Sequence, residues 1–272
     1  LTSTHHDLAP GNFKLDSEEK RTVDLHHRYS LENAIYASNQ IKITDNLEVV
    51  YGLRLSAFMA LGNGEYYTLD NNKNIIDSTW HKSGKVVKTY VNLEPRISAA
   101  YKLNATSSIK AAYARTVQNM HLLSYSAQGT PFDRWTSSSN NIKPQIADQI
   151  SIGYFRNFAN NMFEFSIEAY YKDMKNQLDF KDGADIEGYD VIETELLSGK
   201  GRSYGIELSL KKRLGRFTGW IGYTLAKSER KIDGINENKW YNAFQDRTHD
   251  ISIVGMYELN RKWSLSAAWV YY

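Results

Sequence analysis

Across residues 201–230, GRSYGIELSLKKRLGRFTGWIGYTLAKSER, apolar and polar side chains alternate with a period of two. Tyr204, Ile206, Leu208 and Leu210 share one face, and Gly205, Glu207, Ser209 and Lys211 the other. After Leu214-Gly215-Arg216 the pattern resumes with Phe217, Ile221, Tyr223 and Leu225. Such alternation marks strands with one face out of water, so the stretch predicts a hairpin. Along the chain it predicts about ten strands of roughly 9 to 15 residues, suited to a tilted bilayer crossing. They fall near 28–43, 47–61, 89–103, 108–117, 146–157, 162–174, the two arms of the hairpin, 249–259 and 262–272. The longest clean row is Leu47, Val49, Tyr51, Leu53, Leu55, Ala57, Met59 and Leu61, opposite Glu48, Gly52, Arg54 and Ser56. Arg115 interrupts the row Ile109, Ala111, Tyr113.

Alternation by itself leaves two partners for the apolar face, lipid or a second packed sheet. The connections separate them. Tight turns at Thr44-Asp45-Asn46, Asn104 to Ser107, Ala159-Asn160-Asn161, Leu214-Gly215-Arg216 and Asn260-Arg261 alternate with long loops at 62–88, 118–145, 179–200 and 229–247. Loops this long exceed the usual connection of about 4 to 6 residues. A sandwich has no reason to keep a short-long order, whereas an outer-membrane barrel has short periplasmic turns and long extracellular loops. The expected fold is therefore all-β: an antiparallel up-and-down transmembrane β-barrel segment of about ten strands. Residues 28–272 hold its strands and loops, and 1–27 read as the tail of a preceding loop. The alternative is a soluble β-sandwich module for carbohydrate binding or adhesion, its apolar faces packed together about 10 Å apart.

Composition sharpens this in three places. The 19 Tyr and 6 Trp are many for so polar a chain, and these rings favour boundaries that are apolar on one side and wet on the other. Lys and Arg number 33 against 31 Asp and Glu, so a formal charge of +2 gives no footprint for nucleic acid. The absence of cysteine removes disulfides, thiolate metal sites and cysteine nucleophiles.

Three segments carry a family resemblance. LEPRISAAYKLNATSSIKAAYARTVQNMHLL, residues 93–123, resembles a mid-barrel hairpin of TonB-dependent outer-membrane receptors: a Pro-Arg pair opens a strand, an Asn turn follows, and an Ala-Tyr-Ala-Arg strand leads into a long loop. NIKPQIADQISIGYF, 141–155, is similar to their Lys-Pro-Glu element, with Gln145 where Glu is usual. SYGIELSLKKRLGRFTGWIGYTLAKSE, 203–229, resembles their Gly-Ile-Glu-Leu hairpin. Each motif alone is weak; order and spacing together are specific, and the resemblance covers 28–272. It implies placement in the outer membrane of a Gram-negative bacterium, in contact with its lipid. It also implies a 22-stranded barrel around a plug, coupling to the TonB complex through that plug, and uptake of a scarce large ligand such as a siderophore, cobalamin, haem or oligosaccharide. No segment here looks like the plug, so the chain reads as part of a larger receptor.

Chemistry-bearing clusters are few. His5-His6 and His26-His27 are adjacent pairs whose members point to opposite strand faces, so neither chelates one ion and no metal is expected. Asp179, Asp182, Asp185 and Glu187 do not match the spacing of a twelve-residue calcium loop and read as a solvated acidic loop. With no nucleophile elbow, phosphate loop or cofactor motif, an enzyme is not expected. Two loops stand out instead. Residues 122–140 carry Tyr125, Phe132, Arg134 and Trp135, and residues 236–247 carry Trp240, Tyr241, Phe244 and Arg247. Aromatics and Arg on long loops either form a binding surface or pack the loops on one another.

Overall fold

In a computed structural model, the described residues are 1–8, 13–15, 21–23, 27–124, 133–184 and 191–272. The strands begin with β1 (Thr2–Leu8), β2 (Phe13–Leu15), β3 (Arg21–Val23), β4 (Arg28–Lys42), β5 (Leu47–Leu61), β6 (Gly64–Leu69) and β7 (Ile75–His81). Next come β8 (Val86–Asn104), β9 (Ser107–Gln118), β10 (Met120–Leu123), β11 (Arg134–Ser137), β12 (Gln145–Phe158) and β13 (Phe163–Phe180). The last are β14 (Leu196–Lys212), β15 (Phe217–Lys231), β16 (Tyr241–Asn242), β17 (His249–Asn260) and β18 (Trp263–Tyr271). Only two short 3₁₀ turns, Ile192–Glu195 and Asn236–Asn238, interrupt them among the described residues.

One antiparallel sheet runs β1-β4-β5-β8-β9-β12-β13-β14-β15-β17-β18, each strand beside its sequence neighbours among the long strands. The short elements belong to the long loops: β2–β3, β6–β7 and β10–β11 are separate hairpins, and β16 pairs with the end of β15. All ten strands predicted by alternation are present in the predicted order. The sheet is open, with β1 and β18 at its edges.

Two differences from the sequence expectation have local causes. Thr2–Leu8, read as loop tail, is a strand: Thr-Ser-Thr-His-His-Asp-Leu has no apolar row, and its pairing with β4 (Thr2 opposite Ala34, Leu8 opposite Arg28) makes the strand. β13 runs six residues past 174 because Asn176, at φ 56°, forms a bulge that absorbs one residue and lets the ladder with β14 continue. Pro95 lies inside β8, opposite Leu53 of β5. Proline has no N–H to give, and pairing of β8 with β9 starts one residue on, at Arg96 opposite Ala114.

Register converts the alternation into continuous bands. Leu47, Tyr101, Ile109, Tyr154, Ile167, Leu208, Tyr223, Ile251 and Tyr271 are successive cross-strand partners over nine strands. Among the described residues nothing covers this apolar face: Ile35 is 60% exposed, Ile152 57% and Leu265 60%. A sandwich would bury those residues against a second sheet, so the uncovered face disfavours that alternative. The opposite, polar face is the sheltered one, holding Ser30, Ser56, Phe58 and Glu94 buried. There Arg54 reaches Glu32 at 3.2 Å and Glu94 at 3.3 Å, and Ser56 donates to Glu94 at 2.8 Å.

Candidate functional site

The long loops fold over the polar face and bind one another. Asn119 donates to Glu32 of β4 across 3.5 Å, and the Tyr90 hydroxyl donates to the Ser139 carbonyl at 2.6 Å. Asn140 and Asn141 both donate to the Tyr67 carbonyl, at 2.7 and 2.8 Å. Glu193 accepts from Ser139 Oγ at 2.6 Å and from Asn141. Leu123, Ile142, Leu178, Phe180 and Leu196 form a small apolar core beside these contacts. Backbone that leaves the sheet needs such partners for its polar groups and apolar side chains.

Beneath the loops, at their end of the polar face, is a cavity of about 520 Å³. β15 brings Arg230 there because even-numbered residues of that strand take the polar face; β13 brings Lys172 and Met174 by the same rule, and Asp179 after the bulge. Arg230 donates to Asp179 Oδ2 at 3.0 Å and to the Leu178 carbonyl at 3.2 Å, and its guanidinium lies 5.2 Å from the Phe244 ring. Tyr241 donates to the same Asp179 oxygen at 2.9 Å. Burial first, and then the Asp179 charge, push the Tyr241 hydroxyl well above the usual phenol range, so it stays a donor. His121 closes another side, 3.2 Å from Ser138 Oγ, and burial pulls its pKa down to about 4. A second cavity, of about 360 Å³, adjoins through Lys172, Met174 and Gln245 and adds Arg247, which stands 3.7 Å over the Tyr272 ring. The linings combine cations with carboxylates, Arg230 with Asp179 and Arg247 with Asp250 at 4.0 Å, and add Lys172, ring faces and hydrogen-bond donors, a mixture suited to a bulky, polar ligand.

The eight residues singled out from sequence therefore divide. Phe244 lines the larger cavity, Arg247 the smaller, and Tyr241 orients Asp179. Trp240 turns to the apolar side, 4.2 Å from Arg202. On β11, Trp135 is half exposed opposite Leu122, and neither it nor Arg134 lines either cavity. Tyr125 and Phe132 lie outside the described residues, as do His26, Asp185 and Glu187. Arg230, Lys172 and His121 were not singled out; the period-two pattern places Arg230 and Lys172 on the polar face, but nothing local distinguishes them there. Asp179, read as part of a solvated loop, instead terminates a strand and holds Arg230 and Tyr241. Among the described residues no group of three His, Asp or Glu side chains is arranged for a metal ion.

Comparison with known proteins agrees with this architecture. The family model for the TonB dependent receptor-like β-barrel matches residues 7–272. The FrpB iron transporter of Neisseria meningitidis (F3-3 variant) superposes with a TM-score of 0.60 at 17% identity, over 91% of this chain and 33% of its own. The ferric-catecholate import receptor Fiu of E. coli K12 gives 0.58 at 18% identity, over 89% of this chain and 34% of its own. The ferripyoverdine receptor of the outer membrane of Pseudomonas aeruginosa gives 0.57 at 13% identity, over 89% and 28%. No curated protein sequence matches. The chain spans about a third of the length of these structures. It belongs to the TonB-dependent receptor β-barrel family, proteins of the Gram-negative outer membrane.

Proposed function

We propose that this chain is the loop-bearing part of an importer that captures a ferric chelate outside the cell and passes it inward. The observation that carries the reading is the mouth cavity, lined by Arg230, Lys172 and Phe244 with Tyr241 holding Asp179 at its side, on strands whose other face is apolar. Cations with aromatic faces suit the anionic oxygen donors and rings of an iron chelate better than they suit a neutral oligosaccharide. The three solved relatives are named for iron transport, ferric-catecholate import and ferripyoverdine binding, which supports the same class. In this reading β1 and β18 pair with further strands of the receptor to close the barrel, because open edges and a bare apolar face are stable only when paired and in lipid. The apolar bands meet outer-membrane lipid. A plug domain and the TonB complex supply the force, and this chain does no covalent chemistry.

The full-length receptor tests it, with binding followed by tryptophan fluorescence. Ferric catecholate, ferric hydroxamate, haem, cobalamin and a maltooligosaccharide are the probes. One ferric chelate is expected to bind, and Arg230→Gln or Phe244→Ala to weaken it by roughly tenfold or more. Preference for cobalamin, haem or sugar, or equal binding by the variants, overturns the assignment.

A further inference from the structure

On the outward, apolar side of the strands that hold the cavity, three cross-strand rows lie above one another toward the loop end. The first is Tyr113, Ile150, Tyr171, Tyr204 and Lys227. Tyr171 and Tyr204 stack there with centroids 6.3 Å apart. Next come Arg115, Asp148, Asp173, Arg202 and Glu229, and beyond them Val117, Ile146, Lys175, Lys200 and Lys231. In that last row three neighbouring strands present lysines as direct partners: Lys175 opposite Lys200, and Lys200 opposite Lys231.

Like charges opposed directly across strands destabilise a sheet. The middle row is neutralised internally, Arg115 with Asp148 at 2.7 Å and Arg202 with Glu229 at 2.8 Å, and Lys227 reaches Glu229 at 3.0 Å from the row below. The lysine row has no carboxylate of its own, and only Lys175 feels one from the row below, Asp148, without contact. All three side chains are exposed, and none forms an ion pair among the described residues. Over the three rows six cations meet three carboxylates, in a chain whose formal charge is only +2.

Height identifies what lies opposite. Tyr204 to Lys200 is four residues, roughly 13 Å along a strand and about 10 Å along the normal for a strand tilted near 40°. Tyr rings settle at the hydrocarbon boundary, and the polar zone beyond it is about 5 to 8 Å deep in each leaflet. A lysine stem spans the difference by leaning toward the headgroups. We propose that Lys175, Lys200 and Lys231 bind the phosphate groups of outer-leaflet glycolipid headgroups, whose acyl chains lie against the apolar bands below. This rests on the outer-membrane placement and not on the identity of the imported ligand.

The test uses the full-length receptor in detergent, with lipid A and its dephosphorylated form as probes and native mass spectrometry as the readout. Wild type is expected to prefer the phosphorylated lipid. The triple variant Lys175→Gln, Lys200→Gln, Lys231→Gln is expected to lose roughly 100-fold in affinity, while the matching triple change to Arg keeps it. Nutrient binding is expected to be unchanged in both. Should the Gln triple fail to fold, Lys200→Gln alone is expected to lose about fivefold. Equal binding of the two lipids by wild type, or equal binding by the Gln variants, overturns the proposal. Competition by inorganic phosphate at equal phosphate concentration, or equally tight binding of polyglutamate, also overturns it, by showing a general anion surface.

Discussion

The two ends of the sheet are joined by the same strands and held by opposite means. At the turn end each connection is closed by a neighbour in sequence, and ladder-like backbone bonds such as Lys102 N–H to Asn46 O and Arg213 N–H to Met162 O tie it to the next turn. Thr44 Oγ1 accepts the Asn46 and Leu47 amides, Asn104 Oδ1 accepts the Thr106 amide and hydroxyl, and Asn260 Oδ1 accepts the Lys262 and Trp263 amides. Positive φ at Ala159, Asn160, Asn161 and Gly215 makes the remaining two. At the loop end the bonds join residues far apart: Ser139 and Asn141 to Glu193 over 54 and 52 positions, Asn140 to Tyr67 over 73, and Asn119 to Glu32 over 87. Turns closed locally fix register and add little else. Loops closed by distant partners build a shaped cavity, and they are expected to open together when one partner fails.

The largest expected difference between the ends is acid sensitivity, through His121. It is 1% exposed, its Nδ1 has no partner among the described residues, and its pKa in the folded mouth is about 4 against roughly 6.5 for a free imidazole. The opened loop therefore takes the proton first. Closure is at full strength above about pH 6.5 and weakens as the pH falls toward 4, by up to about 3 kcal/mol. At pH 5, amide protection over 120–124, corrected for intrinsic exchange, is expected to fall about 20-fold relative to pH 7. The turn end has no buried imidazole, and its protection is expected to hold. Loss of the effect in His121→Gln confirms the source; persistence there would assign it to another group.

How much was legible in the sequence follows the same division. Ten strands could be read because a period of two is local, and the turns because Asn, Asp and Gly announce them. β1 escaped because Thr2–Leu8 has no apolar row, so only its partner β4 reveals it. The extension of β13 escaped because Asn176 looks like a terminator until a bulge is admitted. In the mouth, residue type was a good guide and orientation was not. Trp240 and Tyr241 are adjacent, so they face opposite ways, and only the pairing of Tyr241 with Arg230 decides which one looks inward. The role of Asp179 is not legible locally, because its partners, Arg230 and Tyr241, lie 51 and 62 residues away.

Glu193 gives an intermediate effect. Glu193→Ala removes the acceptor for Ser139, which is buried, and for Asn141, which is half buried, at once, a cost of about 1 to 3 kcal/mol confined to loop closure. Exchange over 134–142 is expected to quicken roughly tenfold or more, and 64–81 to follow, because Asn140 and Asn141 anchor Tyr67. If 64–81 stays protected while 134–142 opens, the loops are independent and the account of a jointly held mouth fails.

The smallest effect belongs to the turn end, and it tests whether the ends are separable. Asn104→Ala deletes an acceptor that serves the Thr106 amide and hydroxyl, both exposed to water, so water replaces much of what is lost. About 0.5 to 1 kcal/mol is expected, read as a small fall in the urea midpoint for folding into vesicles. Faster exchange is confined to the turn, because Ser107 already pairs with Asn104 through the ladder and pairing of Ser108 with Lys102 fixes the register beyond it. The loops are roughly 12 residues away along β9, on the far side of an unbroken ladder with β12. Altered protection at 134–142 or changed ligand affinity in this variant would show that strain crosses the wall, and the two ends would have to be treated as one cooperative unit.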